Sequence, residues 1–153
     1  MGRQKITPFL WFDGQAEEAA NFYVSIFPDS AVTNITPGPG GVAMVVEFRL
    51  AGLQLLALNG GPHFKFNEAI SLSIDCHSQA EVDDLWEKLS AGGSKGQCGW
   101  LKDKYGLSWQ VVPSVLPNLL ADADPAKAAR VMGAMMQMTK LDIQALQNAA
   151  DGK

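Results

Sequence analysis

The chain has 153 residues, 47% of them apolar and 18% charged, which fits one compact globular fold with a core of useful size and leaves no room for two full-sized domains. Sixteen Asp and Glu against twelve Lys and Arg give a net charge of -4 without a basic cluster, so no nucleic-acid partner is expected. No apolar run approaches the roughly 20 residues of a bilayer-spanning helix, and Met1 to Ile6 lacks a signal-peptide core, with Ile6 where an acylation signal wants Ser or Thr. A soluble, cytoplasmic protein with no membrane partner is expected.

Thr7 to Phe12 is a short apolar and aromatic run that reads as a strand. A helix follows over Gln15 to Phe27, with Ala16, Ala19, Ala20, Tyr23, Ile26 and Phe27 forming one apolar stripe. Asp13 stands where an N-cap is expected, and Pro28-Asp29 ends the helix. Three strands are read next, over Ala31 to Thr36, Val42 to Leu50 and Leu53 to Asn59, with Ala51-Gly52 as the hairpin turn between the last two. In the middle strand Glu47 and Arg49 share a face and read as a solvated or dimer-facing pair. The first unit is therefore βαβββ.

After Gly60-Gly61-Pro62 the same grammar restarts. Ile70 to Cys76 reads as a strand and Ser78 to Ala91 as a helix, with Ser78 and Glu81 as a capping box and Val82, Leu85, Trp86 and Leu89 as the buried stripe. Sliding the chain so that Leu10 meets Leu72 also aligns Phe12 with Ile74, Tyr23 with Leu85 and Phe27 with Leu89, a repeat in pattern rather than identity. The second unit continues through Lys95 to Asp103, the turn Tyr105-Gly106 and Leu107 to Pro113. From Val115 the chain turns helical, with Pro117 and Pro125 as start or break points and helices expected over Ala126 to Met138 and Leu141 to Ala149. The group Met132, Met135, Met136 and Met138 reads as core or dimer packing, and Cys76 and Cys98 as small buried apolar side chains rather than a disulfide.

Several stretches carry a family resemblance. They are Pro8 to Gly14, Phe22-Tyr23, Gly61-Pro62 with Phe64 and Phe66, Asn67 to Ser71, and Cys98 to Asp103 running on to Pro113. Together they resemble the PhnB-like family, often labelled 3-demethylubiquinone-9 3-methyltransferase, of the vicinal oxygen chelate superfamily of glyoxalases, bleomycin-resistance proteins and dioxygenases. The resemblance implies an α+β fold of two tandem βαβββ modules, about residues 5–60 and 67–114, in one glyoxalase-like domain over 1–114 with a C-terminal helical extension over 115–153. It also implies a homodimer as the partner state.

The label implies S-adenosylmethionine on a Gly-rich loop between a strand and a helix. Gly38 to Gly41 leads into a strand, Gly60-Gly61 runs into Pro62 and Gly92-Gly93 follows a helix, so no such loop is seen. The superfamily further implies a divalent ion held from the first and last strand of each module. The corresponding positions fall near Ile6 or Thr7, Leu58 or Asn59, Glu68 or Ala69, and Gln110. One carboxylate with neutral amides offsets the dehydration of a divalent ion poorly, so no built-in metal and no cofactor are expected.

Acid–base candidates are His63, in the loop between the modules, and Glu68, which beside aromatic residues is expected to have a raised pKa and to act as a general base. Trp11, Phe64, Phe66, Trp100, Tyr105 and Trp109 are an aromatic supply at the ends and edges of two small sheets. Strand alternation places Ser108, Gln110 and Val112 on one face and Trp109 and Val111 on the other, and the resemblance points Gln110 into the cavity. The ligand-binding set is thus Trp11, Asn59, Phe64, Trp100 and Gln110, with Glu68. The expectation is a metal-free protein that binds a small, partly aromatic molecule in a cavity between curved sheets. The alternative is a lyase or isomerase-type enzyme in which Glu68 or His63 moves a proton, with a divalent metal recruited at a looser site.

Overall fold

A computed structural model of the chain describes residues 3–153. Met1 and Gly2, on which part of the leader and acylation reading falls, lie outside the described residues. The chain divides into two compact units, one running to Phe66 and one spanning Asn67–Lys153.

The first unit contains β1 (Phe9–Phe12), α1 (Ala16–Ile26), β2 (Ala31–Pro37), β3 (Ala43–Leu50) and β4 (Leu53–Asn59). The strand order is β1-β4-β3-β2, with β1 parallel to β4 and the other neighbours antiparallel. Alternation sorts the sheet as the sequence pattern predicts: Leu10, Phe12, Val46, Phe48, Leu55 and Ala57 are buried, while Trp11, Val45, Leu56 and Leu58 are half-buried on the other face. The buried face of α1 is made of three alanines, Ala16, Ala19 and Ala20, and of Tyr23, whose ring stacks on Phe48 at a centroid distance of 6.2 Å. Burying each of the two large rings stabilises by roughly 1.5–3 kcal/mol. Ala51 and Gly52 both take positive φ, 46° and 92°, the requirement of a two-residue hairpin whose twist matches its strands.

Two expectations are corrected in this unit. Glu47 and Arg49 do not pair with each other: Glu47 accepts from Asn34 Nδ2 at 2.9 Å, and Arg49 reaches Asp29 at 3.6 Å. Asp13 does not cap α1. The first free helical N–H, that of Ala16, donates instead to Asn59 Oδ1 at 2.8 Å, because the parallel pairing of β1 with β4 sets Asn59 beside Phe12, just before the helix begins.

The second unit contains β5 (Ser71–Cys76), α2 (Gln79–Ser90), β6 (Ser94–Lys95), β7 (Trp100–Lys102) and β8 (Ser108–Pro113), in the order β5-β8-β7-β6 with β5 parallel to β8. Ser78 caps α2 by accepting from Glu81 N at 3.1 Å, and the Glu81 carboxylate accepts from His77 N at 2.8 Å, one residue earlier than a standard capping box. Val82, Leu85, Trp86 and Leu89 are buried as expected. At the β7–β8 turn the buried Asp103 accepts from the N–H groups of Tyr105 (2.9 Å) and Leu107 (3.1 Å) and from Trp109 Nε1 (2.9 Å), fixing Trp109 on the helix side of the sheet.

The helical extension consists of α3 (Val115–Leu120), α4 (Pro125–Met135) and α5 (Ile143–Ala150), the last two N-capped by Asp124 and Asp142. It has its own core of Leu116, Val131, Leu141, Leu146 and Ala150, against which Val112 of β8 also packs. Cys98 N donates to Met138 O and Gly99 N to Thr139 O, both at 2.8 Å, and Gln79 of α2 bonds Leu141 O and Ile143 N. The extension belongs to the same compact unit as the second module. The methionines split: Met135 and Met138 pack on the helical core, whereas Met132 and Met136 are exposed. Among the described residues no helix is long and apolar enough to cross a membrane.

Asn59→Ala removes both an acceptor at the start of α1 and a donor to Ala43 O, and is expected to cost about 1–3 kcal/mol in urea unfolding, whereas Asp13→Ala is expected to stay within about 0.5 kcal/mol of the wild type. The reverse order would restore Asp13 as the cap.

Candidate functional site

In the second unit the face of the sheet away from α2 and the residues of α3 and α4 that face it border a half-open cavity of about 320 Å³. Gln110 and Trp100 stand opposite each other on the paired strands β8 and β7, and both line it. Leu116, Leu120 and Met135 form the helical wall. Gln110 Nε2 donates to Ser71 Oγ at 2.9 Å, which holds the amide plane, while its Oε1 accepts no hydrogen bond among the described residues. The site thus offers an aromatic wall, flexible apolar packing and one oriented amide. The strand alternation that put Gln110 and Trp109 on opposite faces agrees with this geometry: Gln110 lines the cavity, and Trp109 is 2% exposed and bonded to Asp103.

Glu68 lies before β5 and is exposed, not inside the sheet. Its carboxylate forms an ion pair with Lys102, and that hydrogen bond, with its own backbone N–H and the charge of Lys102, holds its pKa below the usual glutamate value. The expected raised pKa is therefore corrected in direction, because the neighbouring ammonium stabilises the carboxylate where an apolar wall would have destabilised it. Glu68 and Lys102 border a second, smaller recess of about 140 Å³, which Trp100 also lines. His63 is exposed in its loop, with no hydrogen bond or ion pair among the described residues.

The other candidates belong to the first unit. Trp11 and Phe64 meet edge to face at 4.8 Å, and Trp11 Nε1 donates to Gly61 O at 2.9 Å. A side chain at Gly60 has no room, since a Cβ there would stand 2.3 Å from Trp11 Cζ2. Trp11 therefore pins the 60–64 loop, while Phe64 is 67% exposed. Asn59 borders a recess of about 160 Å³, but both polar ends of its amide are committed, one to Ala16 N and one to Ala43 O.

Of the two thiols, Cys76 is buried, and desolvation pushes it up to about 12, so it stays protonated and inert at neutral pH. Cys98 departs from the buried expectation. It is half-buried at a φ of 58°, lines the larger cavity and lies 3.9 Å from Met136 Sδ. Sequence reasoning also missed the helical wall of the cavity and Ser73. Ser73 and Val112 share a face with Gln110 by the same alternation, so their signal was present.

Two four-stranded mixed sheets, each opening on a βαβ unit with the helix on one face, give this chain a two-module α+β fold like that of a glyoxalase/bleomycin resistance protein/dioxygenase domain. The chain belongs to the PhnB-like family, whose model, described as 3-demethylubiquinone-9 3-methyltransferase, matches residues 4–112. It is similar to the PhnB protein of Bacillus cereus, at 34% identity and a TM-score of 0.68, covering 72% of this chain and 99% of that one. Two more distant structures share the fold. One is the fosfomycin resistance protein FosX of Listeria monocytogenes, solved with Mn(II) and sulfate (17% identity, TM-score 0.55, 71% of this chain and 90% of that one). The other is a glyoxalase/bleomycin resistance protein/dioxygenase domain from Frankia (17%, 0.52, 73% and 93%). No curated protein matches the chain.

The residues do not fit the groups these names imply. For a divalent ion, among the described residues no three His, Cys, Asp or Glu side chains come together. The one carboxylate at an expected ligand position, Glu68, is paired with Lys102, and the amide of Asn59 is spent on backbone groups. For S-adenosylmethionine, a single glycine, Gly14, stands in the turn from β1 to α1, and the paired glycines lie elsewhere: Gly40 and Gly41 lead into β3, Gly60 and Gly61 follow β4, and Gly92 and Gly93 follow α2, so among the described residues no Gly-rich loop joins a strand to a helix N-terminus.

Because pairing lowers the folded-state pKa of Glu68, its contribution to stability is present above the ordinary carboxylate range and is lost as pH falls through the lowered value. Lys102→Ala is expected to move the Glu68 titration, followed by carboxyl NMR, upward toward that range. A midpoint that does not move would contradict the pairing.

Proposed function

We propose that this chain is a metal-free binding protein of the glyoxalase/bleomycin-resistance type, which holds a small, uncharged, partly aromatic molecule in the cavity of its second unit. The cavity itself carries the reading. At about 320 Å³ it lies at the lower end of the roughly 300–1,000 Å³ typical of small-molecule sites. Its walls combine the Trp100 ring with Leu116, Leu120 and Met135, and Gln110 supplies a held amide with an open acceptor. Stacking, apolar packing and one orienting hydrogen bond are sufficient for retention without turnover. The ion-paired, low-pKa Glu68 weighs against the proton-transfer alternative, since a general base serves best with a pKa near the working pH.

The test is thermal unfolding of chelator-treated protein with divalent ions and, separately, with uncharged phenols and aryl ketones. The reading predicts stabilisation by organic compounds alone, roughly 2.7 kcal/mol at a hundred times the dissociation constant, and its loss in Trp100→Ala and Gln110→Ala. Stabilisation only by a divalent ion, or a full organic effect in both variants, would sink it.

A further inference from the structure

Ser73, Gln110 and Trp100 stand in one row across the second sheet. Gln110 of β8 pairs with Ser73 of β5 on one side and with Trp100 of β7 on the other, and all of them line the cavity. Neighbouring strands lie about 4.7–4.9 Å apart, so the row carries a hydroxyl, an amide and an indole, each one strand spacing from the next. The binding reading uses the amide and the indole and leaves Ser73 aside. Ser73 is exposed, and its hydroxyl can both donate and accept. The amide has a direction: Gln110 Nε2 donates to Ser71 Oγ at 2.9 Å, two residues before Ser73 on β5, so Oε1 is the end presented to the cavity.

Polar groups on the wall of a half-open cavity are within reach of water, so a ligand that covers them gains only where it returns the hydrogen bonds it displaces. A phenol hydroxyl bonded to Gln110, with its ring on Trp100, leaves Ser73 one strand further off and unserved. A group that serves both presents a donor to Gln110 and, beside it, an acceptor to Ser73. Resting on the binding reading above, we infer that the ligand is an aryl-fused lactam or similar planar cis-amide: its carbonyl accepts from the Ser73 hydroxyl, its N–H donates to Gln110 Oε1, and its ring lies against Trp100. The sequence of groups along such a molecule, carbonyl, then N–H, then ring, is the sequence of the row. The amide is cis because only then do carbonyl and N–H point to the same side, toward one sheet face. In a trans amide they point to opposite sides, and one of the two wall groups goes unpaired.

Calorimetric titration of the full chain with 2-quinolone and with coumarin tests the assignment, since the two probes share shape and carbonyl and differ in an N–H against a ring oxygen. The wild type is expected to bind the lactam about tenfold more tightly, the scale of one hydrogen bond. Gln110→Met, which keeps the length of the side chain and removes the acceptor, is expected to bring the two affinities together. Ser73→Ala is expected to weaken both probes alike, because both carry the carbonyl, and to leave the lactam preferred. Equal affinities in the wild type, a comparison that needs no variant, would overturn the lactam assignment and leave the cavity reading standing. So would a preference that survives in Gln110→Met, or affinities unchanged in Ser73→Ala. Binding of neither probe would overturn the inference, and the cavity reading falls with it only if the phenols and aryl ketones also fail to stabilise the chain.

Discussion

The close approach at Gly99 makes the second unit what it is. Its φ is +82°, its N–H donates to Thr139 O and its carbonyl accepts from Val111 N, both at 2.8 Å. A Cβ there would stand 2.9 Å from both Leu141 Cδ1 and Val111 O. Only glycine meets the dihedral and the spacing together. Cys98, immediately before it, is also in the left-handed region and donates to Met138 O, so two consecutive N–H groups turn toward the segment that joins α4 to α5. Leu141, at the centre of the helical core, is thereby held against the strand backbone. With the extension docked there, α3 and α4 stand beside Gln110 and Trp100 and turn the sheet face into one side of a half-open cavity.

The polar groups divide between those that hold the fold and those that remain for a ligand. Asn59, the Trp11 indole N–H, Asp103 and Gln79 are all committed to backbone or buried partners. Glu68 and Lys102 cancel each other's charge. What remains at the cavity is uncharged, the open acceptor of Gln110. A site built this way selects by shape and by one or two hydrogen bonds rather than by charge, in keeping with a protein whose net charge is only -4 and shows no local cluster.

Local patterns were legible in the sequence. The two βαβ starts, the Ser78 cap, the hairpin at Ala51-Gly52 and the opposite faces of Trp109 and Gln110 all follow from periodicity and turn chemistry, and the structure has them. Features that depend on distant pairing were not. The Asn59 cap of α1 spans 43 residues and exists only once β1 lies parallel to β4, so the nearby Asp13 looked the better candidate. The direction of the Glu68 pKa depends on Lys102, which the loop before β5 brings to it from another strand. Helical periodicity in the tail identified helices without saying what they cover, and so the wall of the cavity and the half-buried position of Cys98 were missed.

The central claim is that the ligand site lies between the second sheet and the helical extension. The most direct measurement is an NMR map of chemical-shift changes in the labelled full chain on adding 4-hydroxyacetophenone. The account predicts changes concentrated at the Trp100 indole, the Gln110 side-chain amide and the Met135 methyl, with Trp11 and Asn59 still. Changes centred on Trp11 and Phe64, with Trp100 and Gln110 unmoved, would contradict it.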